Sequence, residues 1–249
     1  MNDIFDIVII GGGINGAGIA RDASGRNLKV CLVEKNKVGS ATSSWSTKLI
    51  HGGLRYLENY EFKLVRESLK EREIIKKIAK DIVTPIPFII PHLPQQRSKW
   101  LIQIGLFLYD NLGGFSSLPK SKKINLEAAV PNILKNKYKI GFQYYDLQVD
   151  DKKLVQLNIK DAKNKGAIVL ENKKVVDVSR NDDYWSIKFD DNKSINSKIL
   201  INASGPWIND VLKKIIKINS QKSIRLVKGS HIITKKLYDK YKAFTLQNS

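Results

Sequence analysis

The feature that most constrains this chain is at its start, where an apolar, β-branched run, IFDIVII (residues 4–10), meets three consecutive glycines. Gly11, Gly12 and Gly13 open the pattern G-x-G-x-x-G, which Gly16 completes, and small residues follow at Ala17, Gly18 and Ala20 with helical spacing. A second apolar run, KVCLV (29–33), ends at Glu34. The hydrophobic period switches from strand to helix and back, as a βαβ unit requires. In such a unit Gly11 permits the tight turn and Gly13 lets the backbone approach a pyrophosphate at the positive end of the helix, beside Ile14 and Asn15. Gly16 lets the helix lie close on the strand, and Glu34 accepts hydrogen bonds from the adenosine ribose. An ordinary βα turn with an exposed Glu is the alternative, and the pattern alone does not choose between NAD and FAD.

Composition narrows the class. With 249 residues, 42% of them hydrophobic, the chain has material for one large α/β domain or one and a half smaller ones. No run of about 18 apolar residues is present, so no membrane-spanning helix is expected. The N-terminus reads as neither a signal nor a transit peptide. One cysteine, Cys31, excludes an internal disulfide and suits a reducing, cytoplasmic setting. The net charge is +19, but Lys dominates over Arg and is scattered along the whole length. Phosphate-reading surfaces favour Arg forks, so nucleic acid is not an expected partner. Diffuse positive charge fits an anionic membrane surface better. No metal site is expected.

Further along, residues 39–60 read as an extended active-site loop, 62–80 as an amphipathic helix and 99–112 as a more apolar one. The proline-rich TPIPFIIPHLP between them reads as an edge strand. A strand is expected over 141–150, and then a helix over roughly 152–165 capped by Asp150-Asp151. Strands follow at 167–178, 184–190 and 198–204, then a helix to about 217 and a last strand over roughly 224–234.

Two segments carry further chemistry. In Ser40–Thr47 six of eight residues bear hydroxyls, which suits either a flexible linker or part of the extended active-site loop. It leads into KLIHGGLRY (48–56), where two glycines between a His and an Arg suggest a backbone pressed on something flat, such as a flavin ring. Arg55 stands alone among lysines between Arg26 and Arg66. A fork for phosphate or carboxylate explains it, and so does a structural ion pair.

GGGINGAGIARDASGR and SATSSWSTKLIHGGLRYLENYEFKLVRESLKERE resemble the flavin-dependent, membrane-associated glycerol-3-phosphate dehydrogenases, a branch of the D-amino-acid-oxidase-like flavoproteins. The likeness continues through IPFIIPH, IGLFLYDNLGG, YYDLQVDDKKLV, INASGPW and IRLVKGSHI. It implies a Rossmann-like α/β FAD-binding domain, residues 1–80 plus about 151–217. Interleaved with it is part of an antiparallel substrate-binding sheet, about 81–150 and 218–249. By position it implies FAD held by Gly11, Gly13, Ile14, Asn15, Gly16 and Glu34, then Thr42, Ser43, Lys48 and His51. Val175, Ala203 and Gly205 complete the cofactor set. Arg55 and Tyr56 line the substrate site, and His231 is the candidate base or proton relay; His92 is read as structural.

The implied reaction is oxidation of sn-glycerol 3-phosphate to dihydroxyacetone phosphate, with electrons passed to membrane quinone by an enzyme peripheral at the inner face of the cell membrane. Oxygen is the acceptor in cytosolic relatives. The resemblance also implies that members run on for about as long again past residue 249, from within an antiparallel strand. A fragment of a whole enzyme, the first of two split polypeptides, or the product of a decayed gene that at most binds FAD are the three accounts of this.

Overall fold

The computed structural model describes residues 4–135, 137–219, 224–227, 229–238 and 241–246. In chain order the first elements are β1 (Ile4–Ile10), α1 (Ile14–Gly25), β2 (Val30–Val33), β3 (Leu49–Ile50), α2 (Phe62–Ile78), β4 (Val83–His92), α3 (Lys99–Asn111) and β5 (Lys122–Asn125). Then come α4 (Leu126–Ala129), β6 (Ile140–Val149), α5 (Asp151–Asn164), β7 (Ile168–Leu170), β8 (Val175–Arg180), β9 (Trp185–Phe189), β10 (Ser194–Asn202) and β11 (Ala243–Phe244). They form two compact units, Met1–Thr47 with Asp151–Ser230, and Lys48–Asp150 with His231–Ser249.

In the first unit a six-stranded sheet runs β7-β2-β1-β10-β9-β8. β1 sits between β2 and β10, parallel to both, and its alternate side chains enter two cores. Ile7 and Ile9 pack with Ala17, Ala20 and Ala23 of α1 and with Val155 and Ile159 of α5. Val8 and Ile10 join Cys31 and Val33 on the other face, against Val178 and Ile187. The small residues bring α1 down onto the strands as expected, except that Gly18 has open space where a side chain would stand. Arg21 on α1 bonds Asp161 on α5 at 2.6 Å, and Lys165 joins that carboxylate at 3.0 Å.

The expected strand over 167–178 is two strands. β7 extends the parallel ladder beside β2, and β8 turns away to form a hairpin with β9. The break at 171–174 is fixed by the turn after β2: Asn172 and Lys173 donate backbone bonds to Asn36 O and Glu34 O, and Glu171 accepts from the Val38 amide at 2.8 Å. After β10 the expected helix is present over 205–216 but changes pitch, from the tight Gly205–Trp207 through Ile208–Asp210 to the wide, π-type Val211–Ile216.

The second unit is a mainly antiparallel sheet, β11-β4-β6-β3 with β5 on β6. β4 and β6 pair from Val83↔Val149 to His92↔Ile140. Even-numbered residues Ile86, Phe88 and Ile90 of β4 and Phe142 and Tyr144 of β6 pack under Val65 and Leu69 of α2 and Leu106 and Tyr109 of α3. That burial puts residues 48–80 in this unit rather than in the dinucleotide unit where the sequence boundaries place them. The prolines of β4 fit because Ile89 O, an odd-numbered group, accepts from Thr245 N at 2.9 Å on the side away from β6. Pro85, Pro87 and Pro91 fall in the same odd series, so none removes a donor from the β4–β6 ladder.

Two expectations at the C-terminal end are corrected. Ala243 and Phe244 pair parallel, not antiparallel, with Phe88 and Ile89. The strand expected over 224–234 is absent: its described residues are irregular, and Ile232 and Ile233 are 89% and 88% exposed. A β-branched run favours extended backbone but needs a neighbouring ladder to become a strand, and among the described residues it has none. Residue 228 lies outside the described residues, as do 247–249.

Candidate functional site

The site of the first unit lies where the parallel strands end, the expected place for a ligand in such a sheet. Gly11 leaves β1 at φ +113°, donates its N–H to Val33 O at 2.9 Å, and lies so close to β10 that a Cβ would stand 2.5 Å from Ala203 O. A Cβ on Gly16 would stand 1.9 Å from Gly11 O. Both glycines are therefore required by close approach, which fixes the start of α1 over the end of β1.

Glu34, closing β2, is tied to the same turn. One carboxylate oxygen accepts from Gly12 N at 2.7 Å and the other from Asn36 N at 2.9 Å. Each oxygen keeps a lone pair for a further donor, and an ionised carboxylate has room for about four. At the first turn of α1 the Ile14 amide, an orphan donor of the helix start, reaches Ser43 Oγ at 3.0 Å. The hydroxyl-rich run is thus no loose linker. Ser43 reaches the helix N-terminus, Ser44 Oγ donates to Gly39 O, and Ser46 donates twice to the buried Asp151 at the start of α5.

These groups enclose a cleft of ≈ 590 Å³. Its lining includes the predicted Gly11, Gly13, Ile14, Asn15, Glu34, Thr42, Ser43, Val175, Ala203 and Gly205, with Gly16 packed behind Gly11. Sequence reasoning missed Lys35, Lys173, Lys174, Trp207 and Lys214 on the rim. Lys35 Nζ lies 4.5 Å from the centre of the Trp207 ring, a cation–π pair. Lys35 is adjacent to Glu34 and Trp207 ends INASGPW, so both were findable; Lys173, Lys174 and Lys214 arrive with no motif spacing.

The remaining predicted residues belong to the second unit. Lys48 is exposed at φ +56°, and its carbonyl accepts from Val149 N at 2.9 Å. His51 is exposed and takes the Gly53 N–H on Nδ1 at 3.0 Å. Arg55 and Tyr56 are exposed on the helical turn Leu54–Asn59. His231 is exposed in the irregular segment. His92 is structural: it is buried, and Nε2 lies 2.8 Å from Arg97 O. The two glycines of KLIHGGLRY have an internal explanation. A Cβ on Gly52 would stand 2.3 Å from Leu69 and one on Gly53, at φ +72°, 2.5 Å from Tyr56. Their smallness is demanded by the chain's own side chains before any ligand is considered.

Beneath that turn lies a polar network the sequence reading missed. Arg72 continues the buried stripe Val65–Leu69 of α2, Tyr109 follows Leu106 on α3, and Asp146 follows Phe142 and Tyr144 along one face of β6. Arg72 Nη1 donates to Asp146 at 2.9 Å, and the Tyr109 hydroxyl contacts the same carboxylate at 2.8 and 3.0 Å. Burial pushes Asp146 up and Arg72 opposes it. Tyr109 is pushed well above its ordinary value by burial and then by the Asp146 charge, so it keeps its proton.

A family model described as FAD dependent oxidoreductase matches residues 6–247. The chain belongs to this family. Within it, the chain is 45% identical over 249 residues to D-erythritol 1-phosphate dehydrogenase of Brucella abortus (strain 2308), covering 98% of this chain and 50% of that protein. It is 44% identical over 248 residues to the aerobic glycerol-3-phosphate dehydrogenase of Escherichia coli (strain K12), covering 98% and 49%. The solved glycerol-3-phosphate dehydrogenase from Bacillus halodurans, complexed with FAD, superimposes with a TM-score of 0.63 at 27% identity, over 85% of this chain and 36% of that one. The chain spans about half the length of the curated relatives it matches.

FAD is the cofactor of this FAD dependent oxidoreductase fold, and the first unit's residues fit its ADP end. Glu34 has acceptor capacity for ribose hydroxyls. The bare Gly13, where a Cβ would stand 3.2 Å from Ser43 Oγ, leaves the helix start approachable by a pyrophosphate. Lysines on the rim supply the opposite charge.

Proposed function

We propose that this chain is the flavin-holding half of a dehydrogenase that oxidises sn-glycerol 3-phosphate to dihydroxyacetone phosphate. The observation that carries the reading is the cleft bounded by Gly11, Glu34 and Ser43, found in a chain 44% identical to an aerobic glycerol-3-phosphate dehydrogenase. The first unit is then the FAD-binding domain and the second a part of the substrate domain.

FAD supplies the redox chemistry when bound, taking hydride from C2 of the substrate and passing the electrons to membrane quinone. The protein's task is position and charge. Glu34 would hold the ribose, and Gly13, Ile14, Asn15, Thr42 and Ser43 the pyrophosphate, with Lys48 and His51 completing the cofactor set. Arg55 forks onto the substrate phosphate, Tyr56 lines the site, and His231 takes the C2 hydroxyl proton. Among the described residues no helix is long and apolar enough to cross a membrane. The net charge of +19 suits a peripheral position on an anionic surface at the inner face of the cell membrane.

A second reading has its own support: the erythritol 1-phosphate relative is 45% identical, and a forked Arg serves either polyol phosphate. The test is the visible spectrum of the purified, FAD-supplemented chain during anaerobic addition of sn-glycerol 3-phosphate and, separately, D-erythritol 1-phosphate. Bleaching by the first supports the proposal, and bleaching by the second alone moves it to the four-carbon substrate. A chain that takes no flavin overturns both for this polypeptide.

A further inference from the structure

We infer that Tyr109 and Asp146 are positioning residues for the turn His51–Gly53, acting through a single backbone N–H, that of Gly52. The inference rests on the proposed function in one respect, that His51 belongs to the cofactor set. The Gly52 amide reaches Tyr109 Oη at 2.6 Å in a buried contact. An amide can only donate, so the phenol oxygen accepts, and its own proton goes to Asp146. Asp146 is held in turn by Arg72, whose other terminal nitrogen bonds Glu73 and Ser116. Donation therefore converges on Asp146 of β6, from the turn through Tyr109 of α3 on one side and from Arg72 of α2 on the other.

This arrangement costs more than an apolar one. Arg72, Tyr109 and Asp146 are 4%, 2% and 3% exposed inside a cluster of Val, Leu, Ile and Phe. Among the described residues Arg72 Nε is a buried nitrogen without an acceptor. Apolar residues of similar volume would fill the same space at lower desolvation cost. What they would not do is grip the turn. Gly52 is pressed on Leu69 and Tyr109, with no room to shift sideways, and Gly53 bonds back to His51 Nδ1. The network thus fixes the depth of the turn, and through Gly53 the azimuth of the His51 ring.

The experiment compares the parent chain with Tyr109→Phe, which keeps the ring and removes the acceptor. Hydrogen exchange at residues 51–53, a flavin-independent reading, is expected to rise at least tenfold, with strand β1 unchanged. Unchanged exchange at the turn overturns the inference. In the FAD-loaded chain, FAD affinity is expected to stay within threefold while the visible flavin band shifts; faster exchange with an unshifted band overturns the role toward flavin. A parent that binds no FAD overturns the proposed function instead, and the exchange result still decides whether the anchor exists. Should Tyr109→Phe not fold, exchange in the parent decides: a Gly52 amide as fast as that of Arg55 overturns the anchor, and one at least a hundredfold slower supports it.

Discussion

The carboxylate of Glu34 accepts the amide proton of Gly12 at 2.7 Å, so the residue that ends β2 holds the loop that ends β1. Its other oxygen is engaged by Asn36 N. Glu34→Gln leaves one oxygen for two backbone donors and turns an NH₂ toward the other. Losing a charged acceptor of this kind costs about 1–3 kcal/mol. FAD affinity should fall at least tenfold, as read by flavin fluorescence titration.

Two glycines of α1 should respond with opposite signs. Gly16→Ala forces a Cβ to 1.9 Å from Gly11 O and should destabilise by about 1–3 kcal/mol or more. Gly18→Ala enters open space and should stabilise by up to about 1 kcal/mol through helix propensity. Urea midpoints of the two variants test both.

Cys31 is fully buried in β2, and burial pushes its thiol up to about 12. The thiolate is the reactive form, so a disulfide reagent at pH 8 should label the native chain only as fast as the first unit opens. Rapid labelling with the fold intact would contradict the burial.

Asp161 is held below its ordinary value of 3.8 by hydrogen bonds from Arg21 and Lys165. A depressed folded-state value means the contribution is complete above 3.8 and is lost as pH falls through the lower, folded value. The two side chains are 42% and 36% exposed, so solvent screens the pair and Asp161→Asn should cost less than about 1 kcal/mol at pH 7. That difference should shrink below the ordinary value, as followed by thermal melts at several pH values.

Arg55→Ala, placed in a flavin-loaded chain of the relatives' full length, should raise KM for sn-glycerol 3-phosphate and leave FAD bound. Loss of flavin in place of a KM change would make Arg55 a cofactor residue.

The β1–α1–β2 unit was legible because each of its residues obeys one rule at a time: alternation in the strands, small residues where the helix approaches, an acid at the strand end. The division between β7 and β8 was not, since Glu171 and Asn172 stop the strand through partners far back in the chain. Arg72 and Asp146 sit in charge-rich or mixed runs where nothing singles them out. Their spacing from Val65 and Leu69, and from Phe142 and Tyr144, carried the signal, but a charge on a buried stripe is outvoted by the general rule that charges face water. Gly52 and Gly53 were legible as necessary glycines, though not as glycines needed by Leu69 and Tyr56.

The pairing of β1 with β10 sets a timetable. Ile4 waits for Asn196 and Ile10 for Asn202, with all of β2 to β9 made in between. During synthesis this apolar strand emerges well before β10 and keeps one flank unpaired until nearly the last of the first unit has left the ribosome. That interval, rather than the finished fold, is where this sequence is most exposed to aggregation, and where a chaperone would have most to do.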